Sequence, residues 1–291
     1  MKKVWFITGS SKGLGRSLAE AVLASGDLVA ATARKPRDLA ALVQLYKDQV
    51  LPLQLDVTNK EEIDKAVADT ITHFGRIDVL VNNAGFGVTG AAEAFTEDQV
   101  RSQLETNLYA PIAITRKVLP HMRKQRSGRI LQISSIGGRI GNPGLSMYMA
   151  AKFGVSGFSE ALAKEVSPIG IYVTSIEPGG FRTDWGAASM TYAVHVEGYE
   201  KTVDSMIDYF KKHYQPLGDP DKAAKVMVDL ANEPNPPVHL ILGSESAGML
   251  KQYFTDRKAE YDQWLPVSLS TDHDDAPKTF KLHDGQEFSK K

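Results

Sequence analysis

Val4-Trp5-Phe6-Ile7-Thr8-Gly9-Ser10-Ser11-Lys12-Gly13-Leu14-Gly15 decides the architecture of this chain. The apolar run Val4 to Ile7 reads as a buried strand, and the glycines after it read as a sharp turn. Leu14, Leu18, Ala21 and Val22 then recur at helical spacing up to Gly26. Strand, glycine turn and helix in that order open a βαβ unit. Such a turn lets the backbone approach a pyrophosphate, and the helix start turns free N–H groups and a positive dipole end toward the anion. Gly9, Ser11, Lys12, Gly13, Leu14 and Gly15 are therefore candidate cofactor-binding residues. The plainer alternative is a turn that serves backbone geometry alone.

Outward from this unit, short runs rich in Val, Ile and Leu recur at Leu28 to Ala33, Val50 to Leu55, Asp78 to Val81, Arg129 to Ile133, Ile171 to Ile176 and Val238 to Leu242. Amphipathic stretches separate them. The pattern predicts an α/β fold: a doubly wound, Rossmann-type sheet of about seven parallel strands with helices on both faces. Continuous apolarity within each run fits strands buried on both sides. Residues 1–267 read as one domain. Within it, residues 180–215 scatter Phe181, Trp185, Met190, Tyr192, Val194, Tyr199, Met206 and Phe210 among polar residues, as a lid over a pocket would. Residues 246–264 read as an added helix carrying Leu250, Tyr253, Phe254, Tyr261 and Trp264, and residues 268–291 as a polar, extended tail.

Bulk properties exclude several function classes. Among 291 residues, 42% are hydrophobic and 24% charged, an ordinary globular mix. A net charge of −1 gives no field to attract nucleic acid or an anionic membrane. With no cysteine, the chain has no thiol nucleophile, disulfide or thiolate metal site. Four apolar residues are too few for a signal peptide core, and no run approaches the roughly 20 that span a bilayer. A cytoplasmic location is expected. Asp272, His273, Asp274 and Asp275 read as a solvated acidic stretch, and no metal site is expected.

Arg34 stands at the end of the second strand, where NAD-selective folds place an acidic residue on the ribose 2′-hydroxyl. Its guanidinium fork suits a 2′-phosphate instead, and Lys12 could add a second charge. NADP(H) is thus favoured over NAD(H). The plainer alternative is that both are ordinary solvated surface cations.

Tyr148 and Lys152, four apart on an expected helix, share one face. A neighbouring ammonium favours the phenolate and moves a tyrosine toward the range of a general acid and base. Upstream, Ser135 ends a strand where ligands of open sheets gather, and its hydroxyl could donate to a substrate oxygen. Ser134 is a substitute by proximity.

Five ordered motifs carry a resemblance: Thr8-Gly9-x-x-x-Gly13-x-Gly15, Asn82-Asn83-Ala84-Gly85, Asn107, Ser135 with Tyr148 and Lys152, and Pro178-Gly179. Over residues 3–245 the chain resembles the short-chain dehydrogenase/reductase family in its compact form, and its C-terminal segment is similar to a steroid-dehydrogenase-like subgroup. The resemblance implies that Asp56, with Val57, meets the adenine, and that Asn82, Asn83, Ala84 and Gly85 border the cofactor and brace the sheet. It further implies that Asn107 holds a water in a proton relay with Lys152, and that Lys152 binds the nicotinamide ribose. Ser135 would orient a carbonyl that Tyr148 protonates, with Pro178, Gly179 and Thr183 at the nicotinamide. A homo-oligomer is implied as well.

The function expected is an NADP(H)-dependent oxidoreductase that interconverts a small-molecule carbonyl and an alcohol. Phe86, Ile136 and Met147 flank the chemistry and favour an uncharged substrate. A dinucleotide sensor without catalysis and a lyase or isomerase on the same fold are the alternatives.

Overall fold

Strand β1 (Val4–Ile7) is buried throughout, and its side chains alternate between two cores. Trp5 and Ile7 join Leu18, Val22, Leu42 and Met227 on one face of the sheet. Phe6 joins Val67, Ile114 and Leu162 on the other. An apolar residue is needed at every position, which is why the sequence shows runs rather than alternation.

The computed structural model describes residues 2–183, 190–282 and 284–289. After β1 come α1 (Gly13–Ala24), β2 (Leu28–Ala33), α2 (Ala40–Tyr46), β3 (Val50–Gln54), α3 (Lys60–Phe74), β4 (Val79–Asn82), β5 (Gly87–Thr89), α4 (Glu97–Leu104), α5 (Ala110–Gln125), β6 (Gly128–Ile133), α6 (Ser146–Val166) and β7 (Ile171–Pro178). The chain continues through β8 (Met190–Tyr192), α7 (Ser205–Lys212), α8 (Pro220–Leu230), β9 (His239–Leu242), α9 (Ser244–Leu269), β10 (Thr279–Lys281) and β11 (Glu287–Ser289). Local chemistry sets several of these boundaries. Asn59 caps α3 by accepting from the Glu62 N–H, and Gly75 ends that helix in the left-handed conformation. Thr96 and Gln99 form a reciprocal capping box at the start of α4.

Seven strands pair in the order β3-β2-β1-β4-β6-β7-β9, all parallel. From β1 the chain winds outward to β3 and then crosses back to β4. The crevice beyond the C-terminal ends of β1 and β4 is therefore the switch point where such sheets bind ligands. Expected strand limits match those observed at β1 and β2 and differ by at most two residues elsewhere, most at β7, which runs on to Pro178.

Two features depart from expectation. Within residues 180–215, β8 pairs in parallel with β5 outside the main sheet, with Gly87 opposite Met190. Beyond β8, Val203, Val196, Tyr199 and Ile207 pack on Ala91 and Ala94 as a small separate core. Trp185 lies outside the described residues. At the C-terminus the chain divides into two compact units, Met1–Ala247 and Gly248–Lys291, where one domain over 1–267 was expected. The added helix is longer than 246–264, spanning Ser244–Leu269 as α9. The tail is not simply extended: β10 and β11 form an antiparallel hairpin with Phe280 opposite Phe288, ring centroids 5.4 Å apart. Strands of three residues leave too little alternation to be legible. Among the described residues no helix is long and apolar enough to cross a membrane.

Candidate active site

The turn between β1 and α1 adopts left-handed conformations at Gly9 (φ +67°) and Gly13 (φ +57°). At Gly15 a side chain would run into the Asn83 amide and the Gly9 carbonyl oxygen. Asn83 Nδ2 donates to the carbonyl oxygens of Thr8 (2.9 Å) and Gly9 (3.1 Å). In return, Thr8 Oγ1 accepts from the backbone N–H groups of Asn83 (2.8 Å) and Ala84 (3.0 Å). Asn83 and Ala84 thus bolt the glycine turn to the end of β4. We expect Gly15→Ala to destabilise the protein by about 1–3 kcal/mol, the usual effect of overpacking, read as a lower urea midpoint at unchanged slope.

No side chain caps α1 at Lys12, and its first turn holds no acidic residue, so its N–H groups are open to an anion. Thr183 faces this turn, with Gly13 placed so that an added Cβ would lie 3.6 Å from the Thr183 Cβ. That position is beside the phosphate turn. Arg34 and Lys12 are exposed, and Lys35 and Arg37 follow directly in the same exposed turn. The run Arg34-Lys35-Pro36-Arg37 was the signal for the last two, which reading Arg34 alone passed over. Asp56 accepts at Oδ1 from the Thr58 N–H (3.0 Å) and Oγ1 (2.7 Å), shaping the turn before α3, and Val57 beside it is buried.

Helix α6 sets Tyr148 and Lys152 one turn apart, 7% and 6% exposed. Lys152 Nζ lies 5.7 Å from the centroid of the Tyr148 ring and donates to the Ile133 carbonyl at 2.8 Å. Ser135 hydrogen bonds the Tyr148 phenol, and its Oγ accepts from the Gly137 N–H at 3.0 Å. Burial pushes Tyr148 up to about 12, against a weaker downward pull from Ser135. Burial also pulls Lys152 down to about 8. The expectation that the ammonium would dominate and favour the phenolate is thereby corrected. Desolvation sets the direction of both shifts, and the phenol stays protonated at neutral pH.

Asn107 sits in a π-helical turn, Glu105–Tyr109, between α4 and α5. It is fully buried, and its amide is engaged at both ends by Phe86: Oδ1 accepts from the backbone N–H at 3.1 Å and Nδ2 donates to the carbonyl at 2.7 Å. A side chain on Gly85 would press on Asn107 Oδ1 at 2.9 Å and approach Lys152 Nζ at 3.8 Å, so these three share one corner. Sequence periodicity missed the π-turn, a feature that often marks functional sites.

Two neighbours point elsewhere. Ser134 is turned into the core and donates to the Lys152 carbonyl at 3.1 Å, leaving the Tyr148 contact to Ser135. Asn82 Nδ2 lies within hydrogen-bond reach of the Pro111 carbonyl (3.3 Å), Thr115 Oγ1 (3.0 Å) and Gln132 Oε1 (3.0 Å), bracing β4 to α5 and β6. Pro178 ends β7, and the Gly179 N–H donates to the Leu242 carbonyl at 3.0 Å. Phe86, Ile136 and Met147 are half-buried. Among the described residues, His195, Glu200 and Asp204 gather closely enough to hold a cation, whereas the acidic stretch around His273 does not.

Comparison with known proteins identifies the family. The profile of the short chain dehydrogenase family matches residues 3–192. Oxidoreductase BOA17 of Botryotinia fuckeliana is 42% identical over 273 residues, which cover 93% of this chain and 100% of that protein. The crystal structure of a short-chain dehydrogenase from Streptomyces avermitilis has 39% identity and a TM-score of 0.89, covering 94% of this chain and 100% of that one. The structure of ElxO with NADP bound has 30% identity and a TM-score of 0.69, covering 83% and 96%. The chain belongs to the short-chain dehydrogenase family of oxidoreductases.

Proposed function

We propose that the protein reduces an uncharged organic carbonyl, or oxidises the matching alcohol, with NADP(H) as cofactor and Tyr148 as the proton carrier. The observation that carries this reading is the convergence of Ser135, Tyr148 and Lys152 at the C-terminal end of β6, with a glycine turn and an uncapped helix start at the end of β1.

The residues present fit a dinucleotide. Gly15 leaves a cradle that any side chain would fill, α1 offers open N–H groups, and Arg34, Lys12, Lys35 and Arg37 offer cations at the adenosine end. ElxO, which is 30% identical, binds NADP. When bound, the cofactor supplies or accepts the hydride at the substrate carbon. Ser135 Oγ donates a hydrogen bond to the substrate oxygen, and Tyr148 Oη delivers a proton to that oxygen as negative charge develops on it. Lys152 stabilises the phenolate left behind, its ammonium anchored by the Ile133 carbonyl. Asn107 fixes Phe86 and the strand end against Lys152. Asp56 and Val57 would border the adenine, and Thr183 would reach the phosphates from the opposite wall.

The test is a panel of aldehydes and ketones run in parallel with NADPH and NADH, read as loss of reduced-cofactor absorbance. No turnover despite tight NADPH binding would reject the enzymatic reading. For the cofactor, Arg34→Asp is expected to weaken NADPH binding about 10- to 100-fold, the loss of a charged hydrogen-bonded pair, while NADH binding holds or improves. Equal effects on both cofactors in a fluorescence titration would take Arg34 away from the 2′-phosphate.

A further inference from the structure

The end of β7 carries a second polar cluster, on the side of the Ser135 loop away from the phosphate turn. Glu177 is fully buried. Its Oε1 lies 2.7 Å from His239 Nδ1 on β9 and accepts from Ser175 Oγ at 3.2 Å. Arg139 Nη1 reaches both carboxylate oxygens, at 3.4 and 3.3 Å. A carboxylate persists at such a place only when it is paired and hydrogen bonded, so whatever binds it is held firmly. Arg139 directly follows the turn Ile136–Gly138, which itself begins at Ser135. Glu177 therefore grips the far end of the loop whose near end touches Tyr148.

From Ser175 a row of hydroxyls leads back to the catalytic helix. Ser175 Oγ is 3.4 Å from Ser156 Oγ, which is 3.0 Å from Ser134 Oγ, and Ser134 donates to the Lys152 carbonyl at 3.1 Å. Each hydroxyl has one proton to give. Ser134 gives its proton to Lys152, and Ser175 gives its proton to Glu177. Ser156 has a single proton for two neighbours, Ser134 at 3.0 Å and Ser175 at 3.4 Å, so it donates to one of them at a time. Both ends of the row donate outward, Ser175 to Glu177 and Ser134 to the Lys152 carbonyl. Gly138 lies flat on it: a Cβ there would come within 2.5 Å of Ser134 Oγ, 2.6 Å of Ser156 Oγ and 2.8 Å of the Lys152 carbonyl oxygen. The Ser135 loop and the Lys152 turn are thus locked to one buried cluster.

We propose that Glu177 is a positioning residue for the reaction: through Arg139 it fixes the loop that carries Ser135, and that loop packs at Gly138 against the helical turn that carries Lys152. This rests on the reading of Ser135, Tyr148 and Lys152 as the reacting groups. Displacement of such groups by about 1 Å can lower a rate by about 10²-fold. Glu177→Gln keeps the shape but removes the charge and turns one of the two oxygens that face Arg139 into a donor, which weakens the Arg139 contact.

The test is steady-state reduction of p-nitrobenzaldehyde, or of the best-reduced carbonyl of the panel, by Glu177→Gln, Arg139→Met and Arg139→Lys. It is paired with amide hydrogen exchange on the cofactor-free proteins and with Tyr148→Phe as a control. We expect Glu177→Gln to lower kcat about 10- to 100-fold with both KM values within about twofold. Arg139→Met should fall in the same direction and Arg139→Lys should recover part of the loss. Exchange should quicken in peptides covering residues 134–142 and stay unchanged over residues 3–15. If Glu177→Gln fails to fold, the two Arg139 variants, altered at a half-buried position, decide the matter. Unchanged kcat in folded Glu177→Gln or Arg139→Met, or a loss confined to KM, overturns the proposal while Tyr148→Phe remains inactive. Retained activity in Tyr148→Phe instead overturns the functional reading beneath it.

Discussion

Tyr148→Phe is expected to lower kcat for carbonyl reduction by about 10²–10⁴ while the dissociation constant for NADPH stays within about twofold. The ring is retained, and with it the packing at Gly137, where an added Cβ would meet Tyr148 Cε1 at 3.4 Å. What is lost is the proton that must reach the substrate oxygen, together with the bond to Ser135. Burial pushes this phenol up to about 12, so at neutral pH it is nearly all in the donating form. The two directions of the reaction should therefore respond differently to pH. Reduction needs the protonated phenol and should be insensitive to Tyr148 ionisation from pH 6 to 9. Oxidation needs the phenolate, and its kcat/KM should climb with pH across the same range. Initial rates in both directions over that range, for wild type and variant, check the assignment. Full turnover by the variant would remove Tyr148 from the chemistry, and a flat oxidation profile would mean that some other base takes the proton.

The sheet was legible because of how it is buried. The inner strands of the main sheet lie between two helical layers, so burial writes itself into the sequence as a nearly continuous apolar run, clearest at β1 and β4. The glycine turn was legible for a different reason: left-handed backbone at Gly9 and Gly13 and contact at Gly15 admit few other residues. Short pairings left no such trace. β5 with β8, and β10 with β11, are three-residue strands whose partners are set by tertiary context. Adjacent residues with one chemistry were equally opaque. Nothing in the text of the chain says that Ser134 faces Ser156 while Ser135 faces Tyr148, or that Asn82 braces β6 while Asn83 braces the turn. The sense of the Tyr148 shift was misjudged because spacing reports the Lys152 neighbour and is silent on desolvation, which depends on chain segments far away in sequence. Glu177 and Arg139 went unnoticed for the same reason, since 38 positions separate them and only the fold brings them together.

Lys152→Met should separate stability from activity. Burial pulls the ammonium from the ordinary lysine value of 10.5 down to about 8, a difference worth roughly 3 kcal/mol between the two protonation states. The sign follows from proton counting. Between pH 8 and 10.5 the unfolded chain keeps a proton that the folded chain has released, so stability rises with pH across that window. Below pH 8 both states are protonated, and the full cost of burying the charge weighs on the fold. Methionine removes the charge at similar length, but it also forfeits the bond to the Ile133 carbonyl, worth about 1–1.5 kcal/mol. At pH 7 the variant should therefore be more stable by about 1–2 kcal/mol, with kcat at least about 10²-fold lower because Tyr148 loses its cation. As pH rises from 8 toward 10.5 the wild type should gain on the variant and then overtake it, since it sheds the charge and keeps the hydrogen bond as a neutral amine. Urea midpoints of both proteins at pH 7, 9 and 10 measure the crossing. A variant less stable than wild type at pH 7 would show that Lys152 is not a desolvated cation, and the site would lose the trade of stability for function that marks groups held ready for chemistry.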